Sequence, residues 1–484
     1  MHKHLRTVLA TAAATALTGG LLTLSATAAT AATGPGRPDA DFNNDGYADV
    51  AVSAGHAHVA GHANAGAVTV IYGGADTERY ATLTQDSPGV PGAAEKDDYF
   101  GADTAYGDFD HDGYDDLAVG VPGEDVGSDI DGGAAVILWG SSSGLRGGTA
   151  LADPRPTKHD QYGAPMEAGD FNGDGKDDIA VGTTSGATTI DVHRGGFTRT
   201  TETGSGHYTV SPAVEGGAGN GVKNLHSGDV NGDGREDLIV NGYSKEDGYN
   251  ANYWLPGSTS GATTTGAQKL PAGIITDIGD TDGDGLGDIV IGTSWDEGIA
   301  GAAKGGAAHI LKGTASGPAY GDQQTFTQDT AYVPGAGEKG DAFGQELDLG
   351  DVNGDGHLDL VVGASGEDLP GGTDAGSATV LYGAADGSGI TAKGSVFLSQ
   401  DTAGVPNDDE PYDYFGSDVH LDDLNHDGRA DVVVGASGEN EGNGAVYALR
   451  SGADGSLKAP AGIYVSTVGV SPSGTPSLGA NFSD

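Results

Sequence analysis

The stretch DVNGDGHLDLVVGAS, residues 351–365, places oxygen-bearing side chains at regular offsets directly before an apolar run. Asp351, Asn353, Asp355 and Asp359 occupy positions 1, 3, 5 and 9 of this stretch, and β-branched residues follow. Hard cations prefer carboxylate and amide oxygens, and β-branched residues favour strands. The stretch therefore predicts an acidic, cation-binding turn that leads into a β-strand.

The same acidic stretch occurs seven times, which indicates a repeat protein. The copies, numbered here as loops 1 to 7, are DFNNDGYAD from Asp41, DFDHDGYDD from Asp108, DFNGDGKDD from Asp170, DVNGDGRED from Asp229, DTDGDGLGD from Asp280, DVNGDGHLD from Asp351 and DLNHDGRAD from Asp423. Their period of about 65 residues fits a blade-sized unit. Short β-rich runs separated by turn residues predict four strands per unit. We therefore predict an all-β fold, a seven-bladed β-propeller.

The flanking segments carry a family resemblance. YFG at 99–101, GDFDHDGYDDLAVGVPG at 107–123 and GGAAVILWG at 132–140 resemble the FG-GAP repeat of integrin α-chain heads. The resemblance implies a seven-bladed propeller with calcium in β-hairpin loops. The fourth and fifth units depart from it because they lack the aromatic residue of the FG pair, and most units replace the proline of the GAP motif.

The loops are predicted to bind Ca²⁺, at about seven ions per chain, because this cation takes six to eight oxygen ligands. Positions 1, 3, 5 and 9 would offer side-chain oxygens, and position 7, which varies, a backbone carbonyl. The candidate ligands are Asp41, Asn43, Asp45, Tyr47 and Asp49; Asp108, Asp110, Asp112, Tyr114 and Asp116; Asp170, Asn172, Asp174, Lys176 and Asp178; Asp229, Asn231, Asp233, Arg235 and Asp237; Asp280, Asp282, Asp284, Leu286 and Asp288; Asp351, Asn353, Asp355, His357 and Asp359; Asp423, Asn425, Asp427, Arg429 and Asp431.

Two other cation-site interpretations fit the loops less well. An EF-hand needs a bidentate glutamate at position 12, where loops 1 and 2 have Val52 and Val119. Mg²⁺ demands a more rigid octahedral shell than a dense ring of protein oxygens provides.

The chain has no cysteine, so no disulfide can hold the blades together. Calcium is therefore expected to take the place of disulfides in holding the blades together.

The composition excludes some partners and indicates a location. Lys and Arg total 22 against 70 Asp and Glu, a formal charge of −48, which argues against nucleic acid and anionic lipid. Residues 1–31 have a basic start, an apolar stretch shorter than a bilayer span, and cleavage choices near Ala28 or Ala31. We predict a signal peptide over 1–31, a propeller over 32–484, and a secreted, extracellular monomer that is not inserted in a membrane.

The chain ends suggest how the ring closes. The first unit has no FG strand before Asp41, whereas SLGANFSD at 477–484 resembles such a strand. We predict that this C-terminal segment supplies the innermost strand of the first blade, which residues 39–50 continue. The seven acidic loops would then share one face of the disc. The loops on the other face would be the site for a protein or glycan partner.

No catalytic motif stands out. GSSSG at 140–144 matches a nucleophile elbow, but its repeat equivalents place Ser142 in a hairpin turn. His56, His58 and His62 are expected to lie in a loop, and Trp295 to face the partner surface, where it could stack on a sugar. The sequence favours a protein- or glycan-binding adhesion module. A carbohydrate-active lyase or hydrolase, or a purely structural component, remains an alternative because fold does not decide function.

Overall fold

A computed structural model describes residues 40–483 apart from 76–78, 157, 185–188, 218–219 and 322. The predicted signal peptide, with Ala28 and Ala31, lies outside the described residues, as does residue 39. The described chain forms seven β-sheets and two four-residue helices. None of its helices is long and apolar enough to cross a membrane.

The seven sheets follow one another along the chain, and each is one blade. Blade 1 contains β1 (Asp49–Ala54), β2 (Ala67–Tyr72) and β3 (Arg79–Leu83). Blade 2 contains β4 (Thr104–Gly107), β5 (Asp116–Val121), β6 (Ala134–Trp139) and β7 (Arg146–Leu151). Blade 3 contains β8 (Met166–Gly169), β9 (Asp178–Val181), β10 (Ile190–Arg194) and β11 (Gly206–Val210). Blade 4 contains β12 (Val222–Gly228), β13 (Asp237–Ser244), β14 (Tyr249–Leu255) and β15 (Gln268–Ala272).

The remaining blades repeat this plan. Blade 5 contains β16 (Ile275–Gly279), β17 (Asp288–Thr293), β18 (Ala307–Leu311) and β19 (Gln324–Phe326). Blade 6 contains β20 (Leu347–Gly350), β21 (Asp359–Ala364), β22 (Ser377–Gly383) and β23 (Ile390–Leu398). Blade 7 contains β24 (Phe415–Asp422), β25 (Asp431–Ala436), β26 (Ala445–Ser451), β27 (Leu457–Lys458) and β28 (Ile463–Tyr464). Helix α1 (Glu439–Gly442) precedes β26, and α2 (Val465–Val468) follows β28.

Successive strands of the blades pair antiparallel with their sequence neighbours, as in the order β4-β5-β6-β7 of blade 2, except that β28 of blade 7 pairs with β26. The first strands of neighbouring blades contact each other in the series β4, β8, β12, β16, β20 and β24. Because antiparallel strands reverse direction, the turns after the first and third strands lie on one face of the disc and the other connections lie opposite. The predicted all-β, seven-bladed propeller is confirmed.

The C-terminal segment closes the ring, as predicted. Ser53 of β1 donates its backbone N–H to the carbonyl of Asn481 at 2.8 Å, and Phe482 lies opposite Val52 in an antiparallel bridge. Residue 40 then continues the strand, because the Ala40 carbonyl accepts the N–H of the first β1 residue at 2.7 Å. The innermost strand of blade 1 therefore consists of two pieces from opposite ends of the chain.

Contacts with blade 7 complete this closure. The N–H of Phe482 donates to Asp418 Oδ2 on β24 at 2.6 Å, and Ser417 donates its hydroxyl to the Gly479 carbonyl at 3.3 Å. Phe482 is buried in one hydrophobic cluster with residues of both blades, including Val52 and Val433. Burial of a phenylalanine side chain stabilises a fold by about 1.5–3 kcal/mol. The C-terminal segment is therefore part of the core.

Aromatic residues fill the core at two repeated positions. The fully buried aromatic residues of the FG positions are Phe100, Tyr162, Phe343 and Phe415, and those at position 2 of the acidic loops are Phe42, Phe109 and Phe171. Each acidic loop in this second group is thus tied to the core by its own second residue. The loops are anchored parts of the fold, and their acidic side chains are held in defined places.

Candidate metal centres

The acidic loops connect the first and second strands of each blade, so they share one face, called here the metal-loop face. In five pairs of neighbours, the N–H at position 8 of one loop donates to the position 1 carbonyl of the preceding loop. These bonds join Ala48 to Asp423, Asp115 to Asp41, Glu236 to Asp170, Gly287 to Asp229 and Ala430 to Asp351, at 2.8 to 3.4 Å. The structure thus places these loops edge to edge on the one face that the sequence predicted for them.

Position 1 organises the turn of every loop. In loop 6, Asp351 Oδ1 accepts the N–H of Asp355 at 3.0 Å, and Oδ2 accepts the N–H of Gly356 at 2.8 Å. Equivalent pairs of bonds occur in the other six loops. Gly356 has φ +88°, a conformation that favours glycine. Asp351 Oδ1 also accepts the N–H of Gly354 at 2.7 Å, so Oδ2, which accepts one bond here, is the oxygen that keeps a lone pair for a cation.

Position 9 forms the buried base of every loop. Its Oδ1 accepts an N–H from a residue at or just after the end of the third strand of the same blade. The seven bonds, 2.7 to 3.0 Å long, run to Asp49 from Gly73, to Asp116 from Gly140, to Asp178 from Gly195, to Asp237 from Gly257, to Asp288 from Gly313, to Asp359 from Gly383 and to Asp431 from Ser451. The same side chain therefore ties the loop to the blade.

Burial raises the pKa of all seven position 9 carboxyls. The pKa rises to about 8 for Asp49 and Asp116, to about 7 for Asp237 and Asp359, and to about 6 for Asp178, Asp288 and Asp431. Repulsion from other acidic groups of the same loop adds to burial in each case. Without a cation, these loops therefore hold closely spaced carboxylates at an electrostatic cost.

Positions 3, 5 and 7 complete the loop. Position 3 is asparagine in five loops: its Nδ2 lies 3.1 to 3.4 Å from the position 9 carboxylate in loops 1, 3, 4 and 7, and in loop 6 the backbone N–H of Asn353 donates to Asp359 Oδ2 at 3.2 Å. A rotation of that amide would present its oxygen instead. The position 5 carboxylates are exposed at the loop tips, and Asp355 Oδ1 accepts the N–H of His357 at 3.0 Å. The side chain of position 7 has no role in these turn bonds, which agrees with its varied identity.

Loops 2 and 5 each bring three carboxylates together. Oxygens of Asp108, Asp110 and Asp112 lie within 4.8 Å of one another, as do those of Asp280, Asp282 and Asp288. Asp110 Oδ1 is buried and has no hydrogen-bond partner. A buried, unpaired carboxylate oxygen is costly, and coordination of a cation would satisfy it. The donor chemistry of loop 2 therefore fits a hard cation.

Among the described residues, basic side chains from outside the loops pair with carboxylates of loops 2, 5 and 7, a feature that the sequence analysis missed. In loop 2, Arg199 donates from Nε to Asp110 Oδ2 at 2.7 Å and from Nη2 to Asp112. Lys312 pairs with position 3 of loop 5, and Arg450 pairs with position 9 of loop 7 at 2.7 Å. Arg199 lies between β10 and β11 of the next blade, so no local spacing could have revealed its partner.

Acidic residues at position 8 link neighbouring loops and were also missed. Asp115 Oδ2 accepts the N–H of Asp41 at 2.7 Å, and Glu236 Oε2 accepts the N–H of Asp170 at 2.6 Å. Burial, followed by repulsion from acids including Asp115, raises the pKa of Asp177 to about 7. The pairs DD, DD and ED at positions 8 and 9 of loops 2 to 4 were visible in the sequence and signal this second acidic position.

The other residues singled out in the sequence lie where turns and loops were expected. Ser142 is in the hairpin turn between β6 and β7 on the metal-loop face. His56 packs edge-on against Tyr99, with ring centroids 5.4 Å apart. Trp295 follows β17 on the opposite face and is partly buried beside Tyr249, with centroids 6.1 Å apart. Among the described residues no base is hydrogen-bonded to the Ser142 hydroxyl, and Trp295 is partly accessible.

Comparison with known proteins agrees with this architecture. The FG-GAP repeat profile matches residues 40–71, 100–138, 343–381 and 415–449, and the FG-GAP-like repeat profile matches 170–240. The FG-GAP matches run from the innermost strand into the third strand of blades 1, 2, 6 and 7, and the FG-GAP-like match runs from loop 3 through β9 to β12 into β13. The chain is an FG-GAP repeat protein with an integrin-alpha-like β-propeller, as the resemblance implied.

Two kinds of curated relative match part of the chain. Integrin alpha pat-2 of Caenorhabditis elegans is 32% identical over 243 residues, which are 43% of this chain and 19% of that protein. Phosphatidylinositol-glycan-specific phospholipase D of Mus musculus is 33% identical over 128 residues, 26% of this chain and 15% of that protein. The chain thus spans less than a fifth of either relative.

Among solved structures, the BP39L lectin from Burkholderia pseudomallei aligns with 82% of this chain and 95% of its own, at 13% identity and a TM-score of 0.45.

Proposed function

We propose that this protein is a secreted, calcium-binding propeller that serves as a protein- or glycan-binding adhesion module. The calcium-binding part of this proposal is supported by one loop geometry that is repeated seven times. In each loop, position 1 forms the turn, position 9 lies at the buried base and position 5 lies at the tip. Ca²⁺ suits such a dense, flexible set of oxygens. Integrin and phospholipase D relatives, which carry related repeats, support an extracellular binding role.

The residues present fit a calcium ion. When bound, Ca²⁺ would supply positive charge that offsets the clustered carboxylates. In loop 6, Asp351, Asn353, Asp355 and Asp359 would hold it with side-chain oxygens and His357 with its carbonyl. Arg199 supports this fit, because it already brings a positive charge to the same carboxylates of loop 2. Position 9 links each ion to the third strand, so binding would stiffen the blade.

The face opposite the metal loops is the proposed partner surface, and two tyrosines support this. Tyr332 is 75% exposed and Tyr412 is 55% exposed, in loops before the FG pairs of blades 6 and 7. The backbone of Tyr332 has φ +79°, a left-handed conformation that favours glycine. The equivalent residues in the loops before the FG pairs of blades 2 and 7 are Gly89 and Gly404. A strained, exposed aromatic residue at a position that favours glycine supports a binding role.

A binding array tests the partner proposal. Mature protein in calcium is applied to arrays of glycans and of immobilised extracellular proteins, and saturable binding is expected. Tyr332→Gly should weaken binding while it leaves or raises the melting temperature, because it removes both the ring and the backbone strain. Ser142→Ala, in the hairpin turn between β6 and β7 on the metal-loop face, is the control and should bind normally. Binding that is lost in the control but kept in Tyr332→Gly would contradict the proposed surface.

An enzyme on the same scaffold is the second candidate. Relatives named as phospholipase D favour it, and a propeller fold does not by itself decide between binding and catalysis. Glycan samples from the same array are analysed for new reducing ends and for unsaturated products. Binding without product supports the adhesion module. Turnover that persists after purification through two columns would establish the enzyme instead.

Secretion has its own test. The full chain is expressed from its own first residue in a bacterial host, and culture medium and cells are compared. We expect the protein in the medium or periplasm, with a new N-terminus after Ala28 or Ala31 by mass spectrometry. An intact N-terminus inside the cell would contradict the predicted signal peptide.

A further inference from the structure

Three acidic loops have an asparagine followed directly by a glycine, at positions 3 and 4. These pairs are Asn172 and Gly173 in loop 3, Asn231 and Gly232 in loop 4, and Asn353 and Gly354 in loop 6. A glycine lets the backbone approach a neighbouring group closely, so its nitrogen can reach the side-chain carbonyl of the asparagine. Loops 4 and 6 even share the hexapeptide DVNGDG, at 229–234 and 351–356. A difference in reactivity between these two loops therefore comes from their surroundings.

The glycine of each pair is held in the same way. Gly232 and Gly354 each donate their N–H to Oδ1 of the position 1 aspartate at 2.7 Å, with φ angles of +70° and +73°. The position 7 side chain of the following loop covers the glycine, because a Cβ added at Gly232 would meet Leu286, and one added at Gly354 would meet Arg429. Loop 3 repeats the bond, at 2.8 Å, and the cover. The glycine nitrogen is thus restrained by the same bond in all three loops.

The asparagine side chains differ between the loops. Nδ2 of Asn231 lies 3.3 and 3.4 Å from the two position 9 oxygens of loop 4, and Nδ2 of Asn172 lies 3.3 and 3.2 Å from those of loop 3. In loop 6 the backbone N–H of Asn353 donates to Asp359 Oδ2 instead, at 3.2 Å. Among the described residues, no hydrogen-bond partner holds the side-chain amide of Asn353, which is exposed, whereas Asn172 and Asn231 are partly buried. The Asn353 side chain is therefore the one that is free to turn towards its glycine.

The reaction of such a pair needs water and no other reagent. The backbone nitrogen of Gly354 gives up its proton to a base of the solvent and attacks Cγ of Asn353. The new C–N bond closes a succinimide ring, while the bond from Cγ to Nδ2 breaks and the amide leaves as ammonia after it takes up a proton. Water then opens the ring at one of its two carbonyls, which gives either aspartate or isoaspartate. The attack requires the two atoms to come within about 3–3.5 Å, so a side chain that is bonded elsewhere must first be released.

We propose that Asn353 is a site of spontaneous deamidation that changes the calcium ligands of loop 6 with time, and that bonds to the position 9 carboxylates protect Asn172 and Asn231. The aspartate product would give loop 6 carboxylates at positions 1, 3 and 5, as loops 2 and 5 already have. The isoaspartate product would lengthen the backbone between Asp351 and Asp355 by one carbon and so disrupt the turn. The effect on calcium rests on the proposed function, whereas the reaction itself does not.

Peptide mapping tests the site. The mature chain is kept in chelator at mildly alkaline pH, and samples are digested with pepsin in acid, where cyclisation is slow, for mass spectrometry. Asn353 should deamidate at least about tenfold faster than Asn231, because Asn231 must first break a hydrogen bond to a charged group. The same chain in urea is the control, since the shared hexapeptide should then make the two rates alike. Equal rates in the folded chain, or a difference that persists in urea, would overturn the proposal.

A variant and a calcium sample separate the reaction from the proposed function. Asn353→Gln keeps an amide but would have to form a larger ring, so the peptide that contains 351–356 should stay unmodified. A mass change in that peptide would show that another residue reacts and would overturn the assignment. Saturating calcium should slow the reaction of Asn353, because the ion would hold its amide oxygen. An unchanged rate in calcium would overturn the calcium part of the proposal, while the faster reaction of Asn353 in chelator would stand.

The consequence for calcium has its own measurement. Deamidated chains carry one more negative charge, so anion exchange separates them from unmodified chains, and bound calcium per chain is then measured by atomic emission. Chains in which mapping finds isoaspartate should bind one ion fewer. Asn353→Asp, which carries the aspartate product alone, is the matched control and should bind as many ions as the unmodified protein. Equal counts in the isoaspartate chains and in Asn353→Asp would overturn the predicted loss of the site.

Discussion

Loop 6, which begins at Asp351, and loop 2, which begins at Asp108, form similar turns. They differ in whether a basic side chain of the protein pairs with their carboxylates. In loop 2, Arg199 of the next blade contacts Asp110 and Asp112. Across the described ranges, no lysine, arginine or histidine forms an ion pair with the loop 6 carboxylates. Two backbone bonds of position 1, from the residues at positions 5 and 6, are nevertheless common to both loops.

The shape of a loop and its need for a cation have different structural causes. Hydrogen bonds within the loop set the turn, so loops 2 and 6 have one geometry. Neighbouring blades set the charge balance, so the two loops differ in how far the chain neutralises itself. Arg199 is 41% exposed at its side chain, and such a partly solvated pair contributes about 1 kcal/mol or less. Loop 6 should therefore depend on calcium more than loop 2 does.

Removal of all calcium should have the largest effect. A site at a hundredfold excess of calcium over its dissociation constant stabilises the folded state by about 2.7 kcal/mol, and the chain has seven loops. We expect a large fall in the melting temperature when excess chelator replaces calcium, measured by scanning calorimetry. Identical melting curves together with a negligible metal content would show that the acidic loops are only turns.

A single substitution at a loop tip should have a smaller, site-specific effect. Asp355 is exposed, so Asp355→Ala should leave the melting temperature in chelator almost unchanged while it removes one ion and lowers the melting temperature in calcium. Asp112→Ala in loop 2 is the matched variant. It should also cost up to about 1 kcal/mol in chelator, because Arg199 loses a partner. An unchanged metal count in Asp355→Ala would contradict the ligand assignment for loop 6.

The stability of the metal-free protein should depend on pH with a definite sign. Burial raises the pKa of Asp49 and Asp116 to about 8, whereas an unfolded aspartate titrates near 3.9. Between these values the folded chain binds more protons than the unfolded chain, so stability in chelator should fall as pH rises from about 4 to about 8.

Calcium should reverse this trend because it binds the deprotonated carboxylates. The difference between the melting temperatures in calcium and in chelator should therefore widen from pH 5 to pH 8. Melting curves at several pH values check this, with buffer ionic strength held constant. A difference that narrows with rising pH would mean that these carboxyls are not at the metal sites.

The repeated features of the fold could be predicted from the sequence because their causes are local. The spacing of acids and glycines in DVNGDGHLD fixes the turn, the following β-branched run fixes the strand, and seven copies fix the number of blades. Ring closure was also predictable, since Leu478 and Gly479 repeat the FG pattern at the chain end. These inferences needed no knowledge of which blades touch which loops.

Long-range contacts could not be predicted in the same way. Arg199 and Asp110 are 89 residues apart and meet only because blade 3 packs against blade 2. Gln85 and Glu124 are 39 residues apart, and their pairing depends on the path of two loops on the opposite face. Nothing in the spacing of a single repeat encodes such pairs. The acids at position 8 were missed for another reason, because they were read as part of the metal loop rather than as links between loops.

The smallest expected effect concerns Arg199 itself, as a competitor for calcium in loop 2. The guanidinium carbon of Arg199 lies 5.6 Å from the centre of the Trp139 ring. Arg199→Met replaces the arginine with an uncharged side chain of similar length that can still pack against this ring. In chelator the variant should lose about 1 kcal/mol or less. In a calcium titration, loop 2 should bind more tightly, because the ion no longer displaces a bonded guanidinium.

Fluorescence of Trp139 can follow this titration, with Lys245→Met as the control, since Lys245 forms an exposed pair with Glu215 in blade 4. The control should leave the calcium affinity of loop 2 unchanged. Weaker calcium binding in Arg199→Met would mean that the guanidinium positions Asp110 and Asp112 for the ion rather than competing with it. Loop 2, whose carboxylates pair with Arg199, would then bind calcium more tightly than loop 6.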